Sequence, residues 1–207
     1  MAAIRRPEPF KNPQRAILIA TEDEQSARLY FEGFKKELRA HRVVVIADHE
    51  GSDPGSVVDA AKHARANRNA QVEEGLEDPF EEVWVVFDTE GPQNLQRQNA
   101  AKNAIEQCRQ LGFNTAVSNP SFEFWFLLHF KYHVQLIANA ASACRLLRKH
   151  IRGYSKNTDC FPILRDKLDV AVRHASQIVR ERCAGREHPC DCHPSTQVHL
   201  LVKSLQS

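Results

Sequence analysis

The sequence predicts an α/β fold, a parallel sheet of about four strands flanked by helices and followed by a helical C-terminal extension. Three observations predict it. Short apolar, β-branched runs alternate with stretches of helical periodicity. Each run ends abruptly in acidic or polar residues. Beyond residue 130 the strand signal disappears.

Residues 16–20 (AILIA) form the first run and stop at Thr-Glu-Asp-Glu, as a strand buried on both faces does on reaching solvent. Over residues 25–38, Ala27, Tyr30, Phe31, Phe34 and Leu38 recur at spacings of three and four, which gives a helix one apolar stripe for the sheet. Residues 42–47 (RVVVIA) give a second strand ending in Asp48-His49-Glu50-Gly51; Asp53-Pro54 then opens a helix reaching about Asn67. After an acidic loop near residues 73–78, residues 83–87 (VWVVF) give the third strand and deliver Asp88-Thr89-Glu90-Gly91-Pro92 at its carboxyl end. A helix over residues 94–111 stops at Gly112, and residues 113–117 (FNTAV) supply the fourth strand, ending in Ser118-Asn119-Pro120. Residues 122–130 (FEFWFLLHF) are too apolar for a surface and read as a buried helix with Glu123 and His129 as polar exceptions; Trp125 and its aromatic neighbours are core. Residues 135–151, 161–182 and 195–205 read as three further helices. A core over 1–130 and an extension over 131–207 packed on it follow.

At 207 residues the chain can bury one sizeable core but not two full-sized domains. No run of about 18 uncharged apolar residues and no apolar signal segment is present, so a cytoplasmic protein without a membrane span is expected. In a reducing compartment the six cysteines, Cys108, Cys144, Cys160, Cys183, Cys190 and Cys192, are expected to form no structural disulfide. The formal net charge of +2 conceals an asymmetry: residues 1–130 carry 15 Lys+Arg against 20 Asp+Glu, whereas residues 131–182 carry 11 against 4, a net +7. Such a basic segment suits a polyanion, since phosphate neutralisation supplies most sequence-independent affinity for nucleic acid, although a solvated helical face would look the same.

Chemistry in an open parallel sheet collects beyond the carboxyl ends of the strands. Glu22 follows the first strand there; Asp88 and Glu90 follow the third with one residue between them, so both can point to one side. Carboxylates brought together repel one another unless a cation neutralises them, and Mg²⁺ or Mn²⁺ takes such oxygen ligands together with a phosphate oxygen. Metal-dependent phosphodiester hydrolysis is the chemistry expected of that set, against the plainer reading of helix caps and solvated loop charges. Asp48 and Glu50, after the second strand, are weaker candidates.

Six segments, ILIATEDE at 17–24, HEGSDPGSVV at 49–58, VWVVFDTE at 83–90, SNPSFEFWFLLHF at 118–130, GYSKN at 153–157 and HPSTQVHLLVKSL at 193–205, resemble the RloB family of small proteins associated with restriction and phage-defence loci. The resemblance implies a Toprim-like (Rossmann-like) core, with Glu22 in the position of the glutamate after the first strand and Asp88 and Glu90 in that of the acidic pair after the third. Glu90 replaces the commoner second Asp and Asp23 the commoner Gly after the glutamate; neither change removes charge. It further implies a nuclease (an endonuclease) acting in antiviral defence or abortive infection, with a partner ATPase, since no GxxxxGK[ST] motif occurs here to hydrolyse ATP. DNA and RNA, tRNA included, are both open as substrates, as is assembly into a homo-oligomer.

Within this frame Glu123 either assists the metal or meets a basic partner from the extension while Asn119 caps its helix. Lys156 either neutralises the phosphate or leaving oxygen or belongs to a structural loop. His129 reads as a satisfied buried histidine rather than a proton carrier. Cys183, His188, Cys190, Cys192 and His193 offer a donor set for structural Zn²⁺, but the C-x₆-C-x-C spacing crowds two ligands, and a reduced exposed loop is the alternative. Two other functions compete with the nuclease: a non-catalytic nucleic-acid- or nucleotide-binding regulatory subunit of an ATPase-containing complex, and primase-type nucleotidyl transfer, for which the extension offers no motif.

Overall fold

The computed structural model describes residues 15–22, 25–37, 43–46 and 53–207. Asp48 and Glu50, together with Asp23 and Leu38, lie outside the described residues. Among the described residues the sheet has five strands, β1 (Ile17–Thr21), β2 (Val43–Ile46), β3 (Glu82–Asp88), β4 (Asn114–Asn119) and β5 (Ser195–Thr196), in the order β2-β1-β3-β4-β5. The first four run parallel, as the alternation of strands and helices requires, and β5 joins the edge antiparallel to β4. Two residues inside what reads as helical sequence made β5 invisible to periodicity.

β1 is buried along its whole length because it lies inside the sheet between β2 and β3. Side chains alternate between two apolar layers: Ile17, Ile19, Trp84 and Val86 face one, Leu18, Ala20, Val83, Val85 and Phe87 the other. Helices α2 (Pro54–Glu73) and α3 (Leu95–Leu111) cover the second layer through Val57, Val58, Ala61, Ala101, Ala104 and Cys108. Asp53 caps α2, its Oδ1 accepting from the Gly55 and Ser56 amides at 2.9 and 3.4 Å. α2 outruns the expected end near Asn67 because no Gly or Pro interrupts residues 68–73. Gly112, with φ of 69°, ends α3 in the left-handed conformation.

The first layer is covered by α1 (Ser26–Glu37), which buries Ala27, Tyr30, Phe31 and Phe34, and by α4 (Glu123–Leu128), all six residues of which are buried. The extension closes over both with α5 (Ala140–Leu147), α6 (Phe161–Leu164), α7 (Leu168–Arg182) and α8 (Val198–Gln206), whose Ala143, Leu147, Phe161, Leu164, Ala171, Ala175, Ile178, Leu201 and Val202 join the same apolar layer. The extension is therefore continuous with the core beneath it. A 3₁₀ turn at Arg165–Lys167 splits the helix expected over 161–182, and α5 is shorter than the 135–151 expected. Among the described residues no helix is long and apolar enough to cross a membrane.

The expectation of no disulfide is corrected. Cys183, at the carboxyl end of α7, is bonded to Cys192, with their Cα atoms 5.2 Å apart, because the chain turns back through the 3₁₀ turn Pro189–Asp191. Cys108, Cys144, Cys160 and Cys190 are free thiols. Alkylation of the denatured, unreduced protein is therefore expected to label four cysteines and, after reduction, all six. Closing so short a loop stabilises the fold by about 2–3 kcal/mol in the chain-entropy picture, and Cys183→Ser should lower the melting temperature accordingly. Six reactive thiols without reductant would refute the bond.

Candidate functional site

β1 is followed by β2 on one side and β3 is followed by β4 on the other, so the chain changes direction between β1 and β3. A crevice opens at such a point beyond the carboxyl ends of the two strands, because the crossover helices leave to opposite faces. Glu22 and Asp88 stand at that crevice. The Glu22 amide donates to the Val86 carbonyl at 3.0 Å, which prolongs the β1–β3 ladder and sets Glu22 level with the end of β3. Its Oε2 accepts from the Asp88 amide at 3.1 Å. Two acids separated by 66 positions are thereby joined directly.

The Asp88 carboxylate reaches the other way, its Oδ2 accepting from the Phe122 amide at 3.1 Å. The next segment is held by β4: the Thr89 amide donates to the Ser118 carbonyl at 3.0 Å and the Glu90 amide to the Pro120 carbonyl at 2.8 Å. Glu90 has a φ of 60°, a left-handed conformation that costs a non-glycine residue roughly 1–2 kcal/mol. Gly91 follows with φ of 104°, and a Cβ there would collide with the Ala138 carbonyl oxygen. The loop is thus pinned from both sides while the Glu90 side chain stays exposed, its Oε2 accepting from Asn94 Nδ2 at 2.8 Å.

A residue absent from the sequence reading completes the arrangement. Arg97 is 8% exposed, donates from Nε to the Asp88 carbonyl at 3.0 Å, and pairs its guanidinium with Glu22 Oε1. Burial raises the Glu22 pKa, Arg97 and the Asp88 amide oppose that rise, and the like charge of Glu90 adds to it. Glu22 therefore sits in a desolvated environment to which Glu90 adds like charge and Arg97 the compensating one. A signal for Arg97 was available: it lies in the first turn of α3, three residues past the Asn94 cap, where a cation opposes the helix dipole. The site explains that misplaced charge.

Glu123 is 1% exposed and does not open on the crevice surface. Its Oε2 accepts from Ser121 Oγ at 2.6 Å, and its Oε1 from Tyr154 Oη at 3.0 Å and Ser26 Oγ at 3.3 Å. The carboxylate thus ties α1, α4 and the 153–157 loop together just behind the Asp88–Phe122 contact. Burial, then the charge of Glu123, pushes the Tyr154 hydroxyl up; burial, again aided by Glu123, pushes the Cys144 thiol up to about 11. Both stay protonated at neutral pH. Lys156 is exposed, and its carbonyl lies 3.4 Å from Ser26 Oγ, which brings this loop to the start of α1, four residues beyond Glu22. His129 is 2% exposed, donates from Nδ1 to the Trp125 carbonyl at 3.0 Å, and is pushed down to about 4 by burial, so it is a neutral core histidine.

In one of the two readings of this segment Asn119 caps α4, but the cap position belongs to Phe122, which makes no side-chain cap bond. Asn119 turns instead to the cysteine loop, donating from Nδ2 to the Cys190 and Cys192 carbonyls at 2.9 and 3.1 Å and accepting from His193 Nδ1 at 2.6 Å. The cysteine loop thus buttresses the segment that holds Glu90. As a zinc site it is corrected: Cys183 and Cys192 are bonded to each other, Cys190 is buried with its thiol pushed up to about 11, and His193 is engaged by Asn119. Among the described residues no three His, Cys, Asp or Glu side chains are arranged as a metal centre, and this includes Glu22, Asp88 and Glu90. The Glu22 carboxylate meets the Asp88 backbone amide, the Asp88 carboxylate turns to the Phe122 amide, and Glu90 shares the crevice edge but points toward Asn94.

A family profile described as RloB-like protein matches residues 17–205. No curated protein and no solved structure matches the chain. The match takes in the sheet, the joined acids, the buried α4 and the extension alike, and the chain belongs to the RloB family.

Proposed function

We propose that this protein is a Mg²⁺- or Mn²⁺-dependent nuclease with a Toprim-like core, hydrolysing phosphodiester bonds of DNA or RNA, tRNA among them, as an anti-phage effector. The observation that carries the reading is the hydrogen bond from the Asp88 backbone amide to the Glu22 carboxylate, which brings the two residues together where β1 and β3 end. The donors fit a hard cation in charge and type: all are carboxylate oxygens, and the environment already requires positive charge, which Arg97 supplies. Asp88, Glu90 and Glu22 would hold the ion, with Glu22 exchanging its guanidinium contact for it. A bound divalent ion would supply an activated water and stabilise the leaving oxygen. The chain's own part is positional. The Phe122 amide fixes the Asp88 carboxylate, the Pro120 carbonyl fixes the Glu90 backbone, and Arg97 stands ready as a counter-charge for phosphate oxygens. A partner ATPase would provide the triggering that this chain lacks a motif for.

The Glu22–Arg97 pair favours one second reading, a non-catalytic nucleic-acid- or nucleotide-binding subunit of a defence complex, in which the acids serve folding. Incubating the purified protein with total RNA and with plasmid DNA in Mg²⁺, Mn²⁺ or EDTA, then sequencing the ends, separates the two. Cleavage in the metal lanes alone is expected. Binding without a product in any metal lane would transfer the protein to the second reading.

A further inference from the structure

The basic segment is not a uniformly solvated face. Phe130, the last residue of the apolar run that begins at the acid crevice, is half-buried and carries the His150 ring stacked upon it, with centroids 4.9 Å apart and planes at 10°. The Lys167 ammonium lies over the same Phe130 ring, 4.4 Å from its centroid. Lys131 follows Phe130 in the chain, Lys149 precedes His150, and all three lysines and His150 are exposed. Residues from three separate segments, the end of α4, the end of α5 and the 3₁₀ turn before α7, therefore meet at one aromatic stack ringed by ammonium groups.

Their proximity is felt electrostatically: loss of hydration lowers the His150 pKa, and Lys131, Lys167 and Lys149 lower it further. Among the described residues no carboxylate pairs with these three lysines; the neighbouring Asp166 lies against Arg165 instead. Several cations elsewhere among the described residues do have a carboxylate partner, Arg15 in Glu81 and Glu82, Arg68 in Glu77, Lys102 in Asp191 and Arg165 in Glu37. Three like charges gathered around a stack without an internal counter-ion repel one another and favour an external polyanion. The exposed imidazole adds what phosphate alone does not use, a flat ring on which a base can stack.

We infer that Phe130, His150, Lys131, Lys149 and Lys167 form a docking platform for single-stranded nucleic acid, the lysines holding consecutive phosphates and His150 receiving an unpaired base. In naming the occupant this rests on the proposed function. The platform is separate from the acid crevice: from Phe122, beside Asp88, to Phe130 the helical rise is roughly 12 Å at 1.5 Å per residue. Nucleic acid held there would be anchored at a distance from the scissile bond.

The test is fluorescence anisotropy of a labelled single-stranded oligonucleotide in EDTA, with the full chain, over a salt series. Lys131→Gln, Lys149→Gln and Lys167→Gln combined should weaken binding ~10-fold or more and flatten the log–log salt slope by about 2, the change expected for three fewer single-strand phosphate contacts. His150→Ala should weaken single-strand binding ~10-fold and duplex binding much less. All four side chains are exposed, so circular dichroism and melting temperature should match wild type. Unchanged affinity and slope in the triple variant would overturn the platform, as would wild-type protein that binds no oligonucleotide at low salt. Because EDTA removes any metal-dependent step, platform-dependent binding without cleavage would leave the platform standing while the nuclease reading fell.

Discussion

Asp88→Asn is expected to reduce metal-dependent cleavage by ~10³-fold, since a metal-bound carboxylate contributes several kcal/mol of charge stabilisation and each 1.36 kcal/mol is about tenfold in rate. The substitution is chosen for what it preserves. An asparagine oxygen can still accept from the Phe122 amide, and the Asp88 backbone amide and carbonyl still meet Glu22 Oε2 and Arg97 Nε. Fold and oligonucleotide affinity in EDTA should therefore match wild type, and the loss should appear in the cleavage rate alone. Cleavage within a few-fold of wild type would remove Asp88 from any metal centre and take the nuclease mechanism with it. Glu22→Gln, which keeps the acceptor for the Asp88 amide but abolishes the charge facing Arg97, should lose cleavage to the same extent and, because it strands the buried guanidinium, should also lower the melting temperature.

Arg97→Met is expected to destabilise the protein by about 3–5 kcal/mol, the usual cost of removing one member of a buried ion pair. For a chain of this size that corresponds to a fall of ~10 °C in melting temperature. The cause is the stranded Glu22 carboxylate, which burial already disfavours and which would lose the guanidinium that opposes this. If the crevice accepts a divalent cation, Mn²⁺ should restore part of the lost melting temperature in the variant and raise that of wild type less, because binding to the folded state alone is stabilising. This readout needs no turnover. A variant as stable as wild type, or equally indifferent to metal, would show that the acids do not depend on a cation, and with that the argument for metal at this crevice would fail.

Much of this arrangement could be read along the chain. The runs at 16–20, 42–47, 83–87 and 113–117 announced parallel strands because buried strands must be apolar on both faces, and the acids after the first and third stood out because charge ends such runs. Asp53 and Gly112 marked helix ends through local backbone chemistry alone. Other features were illegible for a physical reason: their partners are distant. Glu123 looked like a fourth acid, yet its surroundings are the hydroxyls of Ser26, Ser121 and Tyr154, brought together from three elements. Cys183 and Cys192 suggested metal by composition, whereas their bond follows from how the chain turns after α7. Asn119 looked like a cap because it precedes a helix, but the cysteine loop claims both ends of its amide.

By itself, then, the order of residues determined the alternation of strands and helices, the membership of the RloB family, and the placing of Glu22, Asp88 and Glu90 at strand ends, since each depends on neighbours within a turn or a strand. Only the tertiary structure decided that the Glu22 carboxylate meets the Asp88 amide, that Arg97 links that carboxylate to the Asp88 carbonyl, and that Phe130, His150 and three lysines share one surface. Those outcomes depend on strand order and on the closure of the extension over the sheet. Packing of the whole chain sets both, and no local pattern encodes the distances that result.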